Sequence, residues 1–239
     1  MGSLWIMATK YGDLPMIQLH ATRKLFDRLP LNADGQLAVT RRTEWLHEKP
    51  ALRSNPLSGW HGNLVVLQRR NCVLFVHDAT RFPLVLPALT KPDFVELNDR
   101  FDDALMNTLL KCGAEEHHLD AAQRYLRPFT VDSQCNRSVL GTLNRMKGDV
   151  EHLLWHDNAS IAEMTGYRLG AWLADMPWTA KGRGYLHPQK EMLALLEGLS
   201  DTLPDAHAKD DVTPDATDNL PDNVVSISTF RNRRSNDSG

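Results

Sequence analysis

Residues 60–86 read WHGNLVVLQRRNCVLFVHDATRFPLVL. Two strongly apolar runs, 63–69 and 72–77, flank Arg70-Asn71, and a third, 83–86, follows a turn over 78–82. Runs of this length rich in Val, Leu and Phe predict strands. A two-residue connection containing Asn, which tolerates positive φ, predicts a hairpin. The runs are almost continuously apolar, so both faces of their sheet are expected to be covered. Consecutive strands of this kind pair most economically as an antiparallel meander. The expected fold class is α+β. A small antiparallel sheet (16–20, 63–69, 72–77, 83–87 and 128–132) carries packed helices, followed by a helical C-terminal extension and a disordered tail.

Upstream, residues 16–20 read as a short strand entering a helix at Thr22, with Leu25, Phe26 and Leu29 on one face and Pro30 as its stop. Residues 31–58 are a long connection, a loop or lid, with a helical turn over 40–47. Downstream, Phe94, Leu97, Phe101, Leu105, Leu109 and Cys112 recur at three- and four-residue spacing and predict an amphipathic helix, capped by Asp93 and ended by Gly113. Further helices are expected over 115–126 and 137–156, the latter with Val139, Leu143, Met146, Val150, Leu153 and Leu154 inward. Helices over 161–173 and 188–199 complete the pattern, with Gly166 and Gly170 counting against the former. Residues 1–15 are an N-terminal extension, 16–199 a single domain, and 200–239 an acidic tail rich in Pro, Asn and Asp that is expected to be disordered.

The chain has 239 residues, 42% hydrophobic and 24% charged, an ordinary balance for a packed domain. A net charge of -3 excludes the global basic footprint of a general nucleic-acid binder, though not a local patch. The three cysteines, Cys72, Cys112 and Cys135, are widely spaced and lack a C-x-x-C pair, so they read as free thiols of a reducing, cytoplasmic compartment. No stretch approaches the roughly 18 apolar residues of a membrane span, so no membrane partner is expected. The N-terminus has neither a basic start nor a continuous apolar stretch, so no secretory signal is expected.

Four polar clusters fall at element boundaries. They are His20-Ala21-Thr22-Arg23-Lys24, Trp60-His61-Gly62-Asn63, His77-Asp78-Ala79-Thr80-Arg81 and Cys135-Asn136-Arg137-Ser138. A hairpin between the second and third places His61 and Asn63 beside His77 and Asp78. Each group also has an ordinary structural use: Asp78 in an Asx-type turn paired with Arg81, Thr22 and Asn136 as helix caps. Cys135 and Ser138 lack a neighbouring base that would make either a nucleophile. No H-x-x-x-H or H-E-x-x-H spacing exists, and His117-His118 is expected to diverge on its helix, so no metal is assigned. No Walker A or G-x-G-x-x-G motif exists and no cofactor is expected; Lys181-Gly182-Arg183-Gly184-Tyr185 reads as a flexible connection. Trp155, Trp172 and Trp178 read as helix packing.

IQLHATRKLF, GWHGNLVVLQRRNCVLFVHDATRFPLVL and NRSVLGTLNRM, in that order, resemble a bacterial family of uncharacterised proteins carried as a domain of unknown function. Its pattern is Thr-Lys/Arg-Lys-Leu after a short strand, Trp-His-x-Asn-Leu before a hairpin, Asp-x-x-Arg-Tyr/Phe after it, and Asn-Arg-Ser opening a late helix. The matching positions are Thr22, Lys24, Trp60, His61, Asn63, Asp78, Arg81, Asn136, Arg137 and Ser138, within a family-like core of 16–156. The resemblance implies one α+β domain and no activity. This chain departs from it in the long insertion before Trp60 and in the extension after 156.

The leading functional expectation is a binding or regulatory module for a small anionic ligand or a nucleic-acid phosphate at the sheet end. Thr22, Arg23, Lys24, Trp60, Asn63, Arg81, Asn136, Arg137 and Ser138 would form the site, with His61 and Asp78 fixing orientation. A second expectation is a hydrolase or nuclease using His61 and His77 as an acid–base pair oriented by Asp78. A third is a mobile-element or toxin-type interaction module whose FRNRR tail docks a protein partner.

Overall fold

The computed structural model describes residues 16–38, 40, 44, 46, 55–180 and 184–200. Its centre is the hairpin of β2 (Trp60–Leu67) and β3 (Arg70–His77), paired antiparallel from Trp60↔His77 to Leu67↔Arg70. The turn is Gln68-Arg69, two residues before the expected Arg70-Asn71, and both residues have positive φ (44° and 65°). This register pairs all eight residues of each strand. A turn at Arg70-Asn71 would strip residues 60–63 of their β3 partners, and those lost ladder bonds outweigh two strained turn residues. His61, expected ahead of the 63–69 strand, therefore lies inside β2, and Asn63 sits at its middle rather than at its start.

β4 (Pro83–Leu89) completes the antiparallel meander, with a register shift between Asn71 and Val73. β1 (Ile17–Ala21) lies between β2 and β5 (Phe129–Asp132) and runs parallel to both. The order β4-β3-β2-β1-β5 thus makes a mixed sheet rather than a purely antiparallel one. A long crossover after β1 returns the chain to the starting end of β2, which is what parallel pairing requires.

Strand alternation sorts the side chains into two cores. On the first face, Ile17, Leu19, Trp60, Val73, Phe75, Leu84 and Phe129 pack under α2 (Leu97–Lys111), α3 (Glu116–Tyr125) and α6 (Pro188–Ser200). Phe94, Leu97, Phe101, Leu105 and Leu109 are buried there, as their spacing implied. On the second face, Val65, Leu67, Cys72, Leu74, Val76 and Val85 pack under α4 (Arg137–His156), through Val139, Leu143, Met146, Val150 and Leu154. The four-residue α1 (Arg23–Phe26) sits at the end of β1. A small hairpin, β6 (Trp178–Ala180) and β7 (Gly184–Leu186), was not expected from the sequence. Trp178 is buried as anticipated, whereas Trp155 is 79% exposed.

α5 (Gly166–Asp175) begins later than the 161–173 helix read from the sequence. It wraps the β4 margin, with Leu169 and Leu173 in the second core and Ala174 in the first. The two glycines that argued against a helix are what admit it. A Cβ on Gly166 would stand 2.0 Å from the Val85 carbonyl oxygen, and one on Gly170 would stand 3.0 Å from Thr108. Gly166→Ala is expected to lower stability by about 1–3 kcal/mol through forced backbone displacement, read as a lower urea midpoint. At the opposite margin, Val131 N–H donates to the Gly35 carbonyl at 2.8 Å, and Gln36 bridges Thr130 antiparallel to β5.

The described residues fall in one compact unit. The expectations for residues 1–15, for most of the 40–47 turn and for the tail beyond Ser200 lie outside the described residues. Among the described residues, no helix is long and apolar enough to cross a membrane. All three cysteines are free thiols.

Candidate functional site

The second sheet face is apolar only on β2, β3 and β4. The parallel register places Asp132, His20 and His61 in one row across β5, β1 and β2. Gln18 pairs with Thr130 one row earlier on the same face. Thr22 and Asn63 follow one row later, where the Thr22 hydroxyl donates to Asn63 Oδ1 at 3.0 Å. α4 covers the apolar half of the face. Its N-terminus reaches the polar half, which stays partly exposed.

His61 joins three segments. Its ring is 2% exposed, with Nδ1 2.5 Å from Asp78 Oδ1 in the β3–β4 turn. Nε2 accepts the Asn136 backbone N–H at 2.7 Å. That bond assigns the ring proton to Nδ1, which donates to Asp78. Both nitrogens are hydrogen-bonded, so His61 ties the β3–β4 turn and the start of α4 to β2. Asn136 in turn caps α4, its Oδ1 accepting the Ser138 N–H at 2.8 Å.

His20 lies beside it, ring centroids 4.8 Å apart, and differs in one respect. Nδ1 is 2.8 Å from Asp132 Oδ1, while the side chain is 23% exposed. Asp132 is fixed by the Gln18 amide at 3.0 Å and the Gln134 N–H at 2.8 Å. Among the described residues, nothing hydrogen-bonds Nε2 of His20. An imidazole oriented by a carboxylate, with its other nitrogen open, can accept or donate a proton or bind an anion. Cys135 completes the wall, its thiol 3.6 Å from the His20 carbonyl. Burial, then the charges of Asp132 and Asp78, push that thiol up, so Cys135 is a neutral thiol rather than an activated nucleophile.

The structure therefore brings Thr22, His61, Asn63, Asp78 and Asn136 together, with Arg137 and Ser138 exposed on the first turn of α4. Arg23 and Lys24 are exposed on α1, and Arg23 pairs with Asp27 at 3.0 Å. Three residues go elsewhere. Trp60 is fully buried on the first face, with Nε1 donating to the Leu57 carbonyl at 2.7 Å, so it is part of the core rather than of the polar tract. His77 pairs with Trp60 across the hairpin while His61 pairs with Val76, so the two histidines project from opposite faces. They do not form the expected acid–base pair. Arg81 is buried in the turn after β3, at φ 61°, its N–H donating to the His77 carbonyl at 2.8 Å.

His77 is 1% exposed, with Nδ1 2.9 Å from the Thr80 hydroxyl. Burial pulls its pKa down to about 4, against the Asp78 charge and a backbone bond to Ser58 and with help from Arg81. The unfolded chain, with an ordinary histidine, takes up this proton near pH 6.5, well before the folded chain does. Stability therefore falls as pH drops from about 6.5 towards 4, by roughly 3 kcal/mol from this group. Urea midpoints across that range should show the loss, and His77→Gln should remove much of its pH dependence.

Asp132 and Gln18 escaped the sequence reading, which placed His20 in a polar cluster without giving it a part in the site. Their signal was there, since His20 and Asp132 lie at or next to the ends of short strands, but only the parallel pairing of those strands makes them neighbours. The sequence also misjudged His117-His118. Their rings lie 3.9 Å apart and both face Glu197.

Fold and site together define an α+β domain with helices on both faces of a mixed five-stranded sheet and a histidine-centred polar tract at one end. The chain belongs to the family described as Domain of unknown function (DUF6933), whose model matches residues 18–191. The match runs past the expected core of 16–156 and takes in α5 and the β6–β7 hairpin. No curated protein and no solved structure matches the chain.

Proposed function

We propose that the polar tract is a binding site for a small anionic ligand, with His20 as its central contact. The carrying observation is the division of one sheet face. Its apolar half is sealed by α4, while the half holding His20, Thr22, Asn63 and Asp132 stays open beside the α4 N-terminus. Ligands of sheets with parallel strands characteristically sit beyond the carboxyl ends of those strands; Asp132 ends β5 and His20 is the penultimate residue of β1. Arg137, Ser138 and Lys24 supply exposed donors at the same end, and the α4 dipole adds to them. The Asp132 and Asp78 carboxylates are each engaged by an imidazole, which limits their repulsion of an anion.

The orientation of His20 by Asp132 favours a second reading, in which His20 moves a proton on the bound ligand as general acid or base. This replaces the His61–His77 pairing with a dyad the fold does assemble. A thermal-shift screen of nucleotides and phosphorylated metabolites tests both. Binding is expected to raise the melting temperature of the wild type, and His20→Ala or Arg137→Ala should abolish the rise while leaving the unliganded melting temperature within about 2 °C, as for surface changes. A screen without any hit, or a hit unaffected by both substitutions, removes the proposal. Turnover of a hit that His20→Ala stops would establish the enzymatic reading.

A further inference from the structure

We propose that His117, His118 and Glu197 form a site for a divalent transition-metal ion of the zinc class, separate from the polar tract. Neighbouring residues on a helix point about 100° apart, so adjacent histidines ordinarily serve different surroundings. Here both rings turn onto one carboxylate oxygen. Nε2 of His117 is 2.5 Å, and Nε2 of His118 3.0 Å, from Glu197 Oε2. The ligating atoms of the three residues all lie within 4.8 Å of one another. Two imidazoles and a carboxylate are a donor set suited to zinc and its neighbours rather than to magnesium or calcium, and three protein ligands leave a coordination position open.

The surroundings supply what such a site needs. Glu115 Oε2 lies 3.8 Å from Nδ1 of His117, a nearby negative charge that would favour a proton on Nδ1 once Nε2 binds an ion. The scaffold is firm, because α3 and α6 bury Ala121, Ala122, Met192 and Leu196 in the first core. The Gln189 side chain ties α6 to the Cys112 carbonyl at 2.7 Å. His117 and Glu197 are 39% and 52% exposed, which gives an ion a route in from solvent.

Occupancy has one structural consequence. Nδ1 of His118 now accepts the Glu115 N–H at 3.1 Å, within the capping box that starts α3. The proton of that ring therefore sits on Nε2. When Nε2 binds an ion, the proton moves to Nδ1 and the Glu115 N–H loses its acceptor. Metal loading should leave this one amide less protected.

The test is calorimetric titration of the full chain with zinc alone at neutral pH, paired with amide hydrogen exchange. One ion should bind per chain. His117→Ala and Glu197→Gln, both at exposed positions, should each weaken binding by at least about tenfold, the low end of what losing even an outer partner costs a metal site. Cys135→Ser and His20→Ala should leave it unchanged, which separates this site from the polar tract. Exchange at Glu115 should quicken on adding zinc to the wild type and not to His117→Ala. Absence of zinc binding, equal binding by the two site variants, or a Glu115 amide indifferent to bound zinc would each overturn the proposal.

Discussion

Trp60→Ala is expected to destabilise the domain by about 3–5 kcal/mol, the range for truncating a buried aromatic. Trp60 is completely buried and meets Phe101 edge-on, with ring centroids 4.9 Å apart, and His77 at 5.0 Å. Phe75 and Phe129 extend the same aromatic cluster. Truncation opens a cavity where β2, α2 and β5 meet. It also leaves the Leu57 carbonyl without the indole N–H that holds the segment entering β2. Trp60→Phe should recover part of the loss by refilling the space without restoring that bond. Chemical denaturation of the three proteins checks the order, and equal stability of wild type and Trp60→Ala would refute the core assignment.

His61→Ala, one residue along the same strand, is expected to cost about 3 kcal/mol or more, from lost packing and a stranded backbone donor. The loss has a different distribution. The Asn136 N–H would lose its acceptor and Asp78 its imidazole, so α4 would fray at its first turn. Hydrogen exchange should show lost protection at the start of α4 before the Trp60 core is affected. His20→Ala makes the contrast, since its ring is partly exposed and, among the described residues, bonded only to Asp132. It should change stability by less than about 1 kcal/mol. A stability loss for His20→Ala equal to that for His61→Ala would mean that both histidines serve the fold.

The opposite fates of Trp60 and His61 show how far the sequence could be read. Both precede an apolar run, and both looked like members of a polar rim. Strand alternation separates them, yet alternation can be applied only once β2 is known to begin at Trp60. That boundary depends on a turn at Gln68-Arg69, where two non-glycine residues accept positive φ to lengthen the ladder. Local signals carried the helices well, because the three- and four-residue spacing of Phe101, Leu105 and Leu109, or of Val139, Leu143 and Met146, records which face is buried. The pairing of His20 with Asp132 spans 112 residues and rests on two parallel strand contacts, which no local pattern encodes. The same holds for His117 and Glu197, 80 residues apart.

Both margins of the sheet are already spoken for: α5 lies against β4 through two bare glycines, and residues 35–36 reach β5. Among the described residues, these contacts narrow the room for an invading peptide to add itself as an extra strand of the five-stranded sheet, which works against edge-wise pairing of copies. A sheet so flanked leaves its side-chain-bearing faces, rather than its strand edges, as the larger accessible chemistry, and a point substitution there alters more than one on the rim.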